Sequence, residues 1–190
     1  MKLALLASGN GTNVEVLLKE KKLGKLSLVN WKLLICDNPD AFVLERVKVF
    51  NLPSFIVEPK NFENKETYET CIHQKLIDFE IDGIVLAGYM RLIGPTLLKY
   101  WKNKIINVHP SLLPSFPGKN SVSDAIKSKF YTSGCTVHFV DEGIDTGPII
   151  AQKTVLIEKH DNQESLSEKI HKAEHELLPK VICQWSNSKF

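Results

Sequence analysis

The chain has 190 residues, of which 43% are hydrophobic and 24% charged, and its net charge is +2. That length suits one domain with a sizeable core, and the composition is that of an ordinary soluble globular protein. The charge is too small to argue for nucleic acid as the main partner.

The first apolar run, "KLALLA" (Lys2 to Ala7), reads as a buried strand. It stops at Gly and Asn, too soon for a signal peptide or a membrane span, so no membrane and a cytoplasmic location are expected. A helix over Asn13 to Lys22 follows. Next come a strand over Trp31 to Cys36, a helix over Asp40 to Phe50 and a short strand at Ser54 to Glu58. Glu63 to Glu80 is a long helix with apolar positions at Tyr68, Ile72, Leu76 and Phe79. Asp82 to Gly88 is a strand, Pro95 to Trp101 a short helix opened by its proline, and Lys104 to His109 a strand. Beyond that lie a helix at Ser121 to Phe130, strands at Gly134 to Asp141 and Pro148 to Glu158, and a helix over Ser165 to Trp185.

Strand and helix in alternation predict an α/β fold, a Rossmann-like, mostly parallel mixed sheet with helices on both faces. The connection between the last two strands is too short for a helical crossover, so at least one strand there is antiparallel. Cys36, Cys71, Cys135 and Cys183 are scattered, with no zinc or disulfide spacing. Cys36, Cys135 and Cys183 read as small core residues.

Four stretches carry candidate chemistry. "ASGNGTN" (Ala7 to Asn13) joins a strand to a helix. It is either a tight turn capped by Thr12 or Asn13, or a phosphate site made of free N–H groups at a helix N-terminus; its place after the first strand favours the phosphate. "AGYMRLIG" (Ala87 to Gly94) follows the fourth strand. It serves equally as a plain connection or as a wall for a flat heterocycle. It holds Arg91, one of two arginines; the other is Arg46.

In "INVH", Asn107 and His109 share a strand face while Val108 points away. That pairing suits proton transfer by the imidazole and oxyanion stabilisation by the amide. In "DEGIDTGPI" (Asp141 to Ile149), Asp145 either orients an imidazolium or is a turn residue. His138 reads more as a satisfied core histidine than as a pocket residue. The group His171, Glu174 and His175 lacks a third ligand at zinc spacing, and no metal is expected.

Taken together, "SGNGTN", "LAGYMRLIGP", "INVHPSLLPSFPG", "GCTVHFVDEGIDTGPII" and "KAEHELLP" resemble the folate-dependent formyltransferases of the glycinamide ribonucleotide type. Order and spacing agree over nearly the whole chain. The resemblance implies a single formyltransferase domain over 1–190. Its ribonucleotide phosphate-binding part would span about 1–100 and its folate and catalytic part about 101–190. It implies formyl transfer from the co-substrate 10-formyltetrahydrofolate to the amine of glycinamide ribonucleotide, in purine biosynthesis. Small molecules are then the partners of a monomer or homodimer.

The family's catalytic residues fall on Asn107, His109 and Asp145. Its ribonucleotide contacts fall on Gly11, Thr12, Asn13 and Glu174. Its folate contacts fall on Lys65, Met90, Arg91, Leu92, Ile93, Asn107, Asp141 and Asp145. The stretch "KNSVSDAIK" after Gly118 departs from the pattern: Asn120 and Val122 replace residues that are commonly histidine or apolar.

Relatives on the same scaffold, such as methionyl-tRNA formyltransferase and formyltetrahydrofolate hydrolase, carry further domains, and none is expected here. A non-catalytic nucleotide or folate binder is one alternative of a different class, and a dinucleotide-binding oxidoreductase is another, with Asp37 after the second strand as the ribose ligand. Val14 in place of a third glycine argues against it.

Overall fold

A computed structural model describes residues 1–128 and 130–187. In chain order the first half holds β1 (Lys2–Ala7), α1 (Thr12–Lys22), β2 (Asn30–Cys36), α2 (Val43–Lys48), β3 (Ser54–Ile56), α3 (Lys65–Asp78), β4 (Gly83–Leu86) and α4 (Pro95–Trp101). The second half holds β5 (Ile105–His109), α5 (Ser121–Lys127), β6 (Thr132–Phe139), β7 (Ile149–Leu156) and α6 (Gln163–Ser186).

The strands form one sheet in the order β3-β2-β1-β4-β5-β6-β7. Neighbours from β3 to β5 are parallel, and β6 runs antiparallel to both β5 and β7. β1 shows why the early strands read as continuous apolar runs. Leu3, Leu5 and Ala7 enter one hydrophobic cluster, with α1, α2 and α6. Ala4 and Leu6 enter the other, with α3 and α4. Both faces are covered, so neither needs polar residues.

Several boundaries differ from expectation. The helix predicted over Asp40 to Phe50 is confined to Val43–Lys48. Asn38 closes a turn on Asp40 at one end, and Asn51 adopts a left-handed φ of 52° at the other. β6 begins and ends two residues before the predicted strand. α5 stops at Lys127, with Ser128 extended; Lys129, inside the predicted helix, lies outside the described residues. Cys36 and Cys135 are buried, but Cys183 is only half-buried.

Sheet order changes direction between β1 and β4, where crevices form in such sheets. The two loops leaving these strands are joined: the Ser8 amide donates to the Gly88 carbonyl (3.0 Å), and the Met90 amide donates to Ser8 Oγ (2.8 Å).

Candidate active site

Beside this switch point lies a cavity of about 570 Å³, the size of a small-ligand site. One wall is the β4–α4 loop with Met90, Arg91, Leu92 and Ile93. The β6–β7 turn, Asp141 to Asp145, forms another, and Lys65 stands at the rim. Asn107, His109 and His138 line the same space.

The catalytic candidates are held by one another. Asp145 Oδ2 lies 3.3 Å from His109 Nδ1 and accepts from the Gly118 amide at 2.8 Å. Asp145 Oδ1 is 3.5 Å from Asn107 Nδ2 and 3.6 Å from His138 Nε2. His109 Nε2 lies 2.9 Å from the Phe116 carbonyl oxygen. That oxygen can only accept, so Nε2 carries a proton and Nδ1 faces the carboxylate. The ring donates to both acceptors only as an imidazolium.

Both are also presented by residues in the left-handed region, Phe116 at φ 55° and Asp145 at φ 56°. Such positions cost non-glycine residues about 1–2 kcal/mol and concentrate at functional sites. Burial pushes the His109 pKa down, against the Phe116 carbonyl and Asp145, which raise it. Burial alone would raise the Asp145 carboxyl; His138, the Gly118 amide and His109 outweigh it and keep it below the usual range.

His138 was expected to be a core residue. It is buried, and Nδ1 donates to the Phe139 carbonyl at 2.8 Å, but Nε2 sits 3.2 Å from Asn107 Nδ2 and holds that amide from the neighbouring strand. A register shift between Val137 and His138 marks the spot. Period-two alternation could not tell a core histidine from a pocket one, because β6 is buried on both faces.

The Pro-rich loop after His109 is pinned by more than its prolines. Buried Thr136 donates to the Ser111 carbonyl (2.7 Å) and accepts from the Leu113 amide (3.0 Å), while Gln152 donates to the Leu113 carbonyl (2.8 Å).

The phosphate-loop candidates form a second group, at the start of α1. The N-cap is Gly11 at φ 77°, and no side chain caps the helix. Thr12 and Asn13 therefore do not cap it, contrary to the simpler reading of this turn, and the first-turn N–H groups have no helical acceptor. A Cβ on Gly11 would fall 2.3 Å from Val43 Cγ2, so both φ and space demand glycine.

Asn13 Nδ2 donates to Glu174 Oε2 at 2.8 Å, which joins α1 to α6. Burial raises the Glu174 pKa to about 7, opposed by the Asn13 bond. The folded carboxyl thus binds its proton more tightly than the unfolded one. This contribution to stability is complete below about pH 4.5 and is lost as pH rises through about 7. In Glu174→Gln, thermal melts at about pH 5 and pH 8 should converge by several degrees relative to wild type. An unchanged pH dependence would place this titration elsewhere.

Other expected contacts are in use within the protein. Arg91 Nε donates to Asp37 Oδ2 at 2.6 Å, and Asp37 is only 7% exposed. Asp37 therefore anchors the cavity loop and is not offered to a ribose, which removes the main support for the dinucleotide reading. Asp141 Oδ1 accepts from the Gly143 amide and from Thr146 Oγ1, so it shapes its own turn.

Sequence reasoning missed Glu69, which is 2% exposed. Its oxygens accept the Gly94 (2.5 Å) and Leu97 (3.2 Å) amides and cap α4 from α3. The available signal was a carboxylate at a core position of the α3 stripe, beside Tyr68 and Ile72. Among the described residues, no group of three or more His, Cys, Asp or Glu side chains could hold a metal ion, and no helix is long and apolar enough to cross a membrane.

The family model described as Formyl transferase matches residues 1–182. Phosphoribosylglycinamide formyltransferase of Bacillus subtilis is 50% identical over 187 residues, covering 96% of this chain and 93% of that one. The crystal structure of phosphoribosylglycinamide formyltransferase from Bacillus halodurans superposes with a TM-score of 0.94 at 47% identity, covering 97% of this chain and 95% of that one. The trifunctional purine biosynthetic protein adenosine-3 of Chironomus tentans is 39% identical over 95% of this chain, which spans only 13% of that longer protein. A match that runs from the first strand into the last helix, with half the residues identical in one relative, places this chain in the formyl transferase family.

Proposed function

We propose that this protein transfers the formyl group of 10-formyltetrahydrofolate to the amine of glycinamide ribonucleotide, giving formylglycinamide ribonucleotide and tetrahydrofolate in purine (IMP) synthesis. The observation that carries the reading is the convergence of Asn107, His109 and Asp145 on one cavity. It lies in a chain half identical to a relative named for this reaction.

The substrate amine attacks the formyl carbon, forming a new C–N bond and a tetrahedral oxyanion. The bond from that carbon to the folate nitrogen then breaks, and the proton lost by the amine ends on the leaving nitrogen. Asn107 donates to the oxyanion. Its N–H toward Asp145 is at the 3.5 Å limit of hydrogen bonding and is the one free to turn to a better acceptor. His109 stabilises the same charge as imidazolium, its two N–H groups directed at Phe116 and Asp145. At rest, burial favours the neutral ring. Charge developing on the substrate favours a second proton, taken up from solvent, held at Nδ1 by Asp145 and returned to solvent when the oxyanion collapses.

In this reading the folate lies against Met90, Arg91, Leu92, Ile93, Asn107, Asp141 and Asp145, with Lys65 toward its acidic end. Arg91 takes part through its backbone, while its side chain bonds Asp37 through Nε. Gly11, Thr12 and Asn13 cradle the ribonucleotide phosphate, and Glu174 accepts from the sugar hydroxyls. The chain acts as one domain, and each half lends residues to the other's site. A cytoplasmic monomer or homodimer without a metal suits this chemistry.

The test is a formyl-transfer assay with both substrates. Turnover is expected in wild type. Asn13→Ala should raise KM for the ribonucleotide about tenfold and change that for the folate by no more than about twofold. Equal effects would remove the phosphate-cradle assignment, and nicotinamide binding without any folate effect would overturn the reading as a whole.

A further inference from the structure

Arg46, on α2, is bonded to the phosphate loop, and nothing in the proposed reaction uses it. Nε donates to the Asn10 carbonyl oxygen at 2.8 Å and lies 3.2 Å from Asn10 Oδ1, and Nη2 donates to Asn10 Oδ1 at 2.7 Å. Nη1 bonds Glu15 in the first turn of α1, and the guanidinium carbon stands 4.9 Å over the Phe42 ring. Glu15 also pairs with Lys19 at 2.5 Å. The Arg46 side chain is 21% exposed, and each of its three nitrogens is engaged.

One turn earlier on α2, the Val43 amide donates to the Gly9 carbonyl at 3.1 Å, and the Val43 side chain closes the space above Gly11. The carbonyls of Gly9 and Asn10 are thus both drawn toward α2. In a trans peptide the C=O and the following N–H point in opposite directions. The N–H groups of Asn10 and Gly11 are therefore turned away from α2, and they continue into the uncapped N–H groups of α1. Successive amides aimed one way form an anion-binding concavity.

We propose that Arg46 is the positioning residue for phosphate recognition: its fork on Asn10 fixes the Asn10–Gly11 peptide plane so that the loop amides face the substrate phosphate. This rests on the phosphate-cradle reading of Gly11 to Asn13. Its donors are committed to Asn10 and Glu15, so Arg46 acts through the loop. A lysine keeps the charge but cannot make the fork.

Steady-state kinetics on wild type, Arg46→Ala and Arg46→Lys test this. Both variants should raise KM for glycinamide ribonucleotide about tenfold, with KM for the folate and kcat within about twofold. Asn10→Ala, which removes the side-chain half of the fork and leaves the Nε bond to the Asn10 carbonyl oxygen, should move the same constant in the same direction by a smaller factor and remains readable if an Arg46 variant fails to fold. Wild-type constants in Arg46→Lys would mean that charge alone matters and would overturn the proposal. So would an unchanged ribonucleotide KM, or a folate KM rising in step. If wild type itself does not turn over this substrate pair, the proposed function has failed. The clamp is then read from titration of wild type and Arg46→Ala with inorganic phosphate: weaker binding in the variant supports it, and equal binding overturns it.

Discussion

Asp145→Ala should lower kcat by about a thousandfold or more, and His109→Ala by a similar factor, in the formyl-transfer assay at saturating substrates. Asp145 is the acceptor facing His109 Nδ1, 3.3 Å away, and also a partner of Asn107 and of the Gly118 amide. Its removal takes from the ring the charge that holds a second proton, so burial keeps the ring neutral. His109→Ala removes the cation itself. Since the two act as one unit, the double variant should be no more than about tenfold worse than either single variant. Near-normal turnover in His109→Ala would show the assigned mechanism to be wrong, and multiplying losses would show that the two residues serve separate steps.

Asn107→Ala should lower kcat by about a hundredfold to a thousandfold and leave KM for both substrates nearly unchanged, because an oxyanion donor acts when the charge has formed. The Asn107 amide is aimed from β5 by cross-strand His138 at 3.2 Å. His138 remains in the variant, so the loss reports the missing donor. A rise in the folate KM with intact kcat would limit Asn107 to holding the folate and remove it as the oxyanion donor.

These expectations reach different depths in the sequence. The sheet was legible because β1, β2, β4 and β5 are covered on both faces and are therefore mostly apolar. Asn107 and His109 stood out because a strand places alternate residues on one face, and two polar residues broke an apolar run. Asp145 was ambiguous for a physical reason: a residue that tolerates a left-handed turn is what a plain turn selects, and here the same conformation aims a carboxylate at the ring. The Phe116 carbonyl and Gly118 amide are backbone groups with no side-chain signature. Arg46, Asp37 and Glu69 act across elements far apart in the chain, so no local window contained their partners.

The hydrogen bond between Asn13 and Glu174 also bears on the order in which the molecule assembles. Its partners are 161 positions apart, whereas Asn107 and Asp145 are 38 apart. Closing the longer loop costs more chain entropy, and chains fold from the N-terminus as they are made. The β5–β6–β7 meander can bring the catalytic groups together before α6 exists. The pairing of Asn13 with Glu174 must wait for α6 to dock on α1. On the proposed function, the reactive groups would come together early and the grip on the nucleotide would be completed among the last steps.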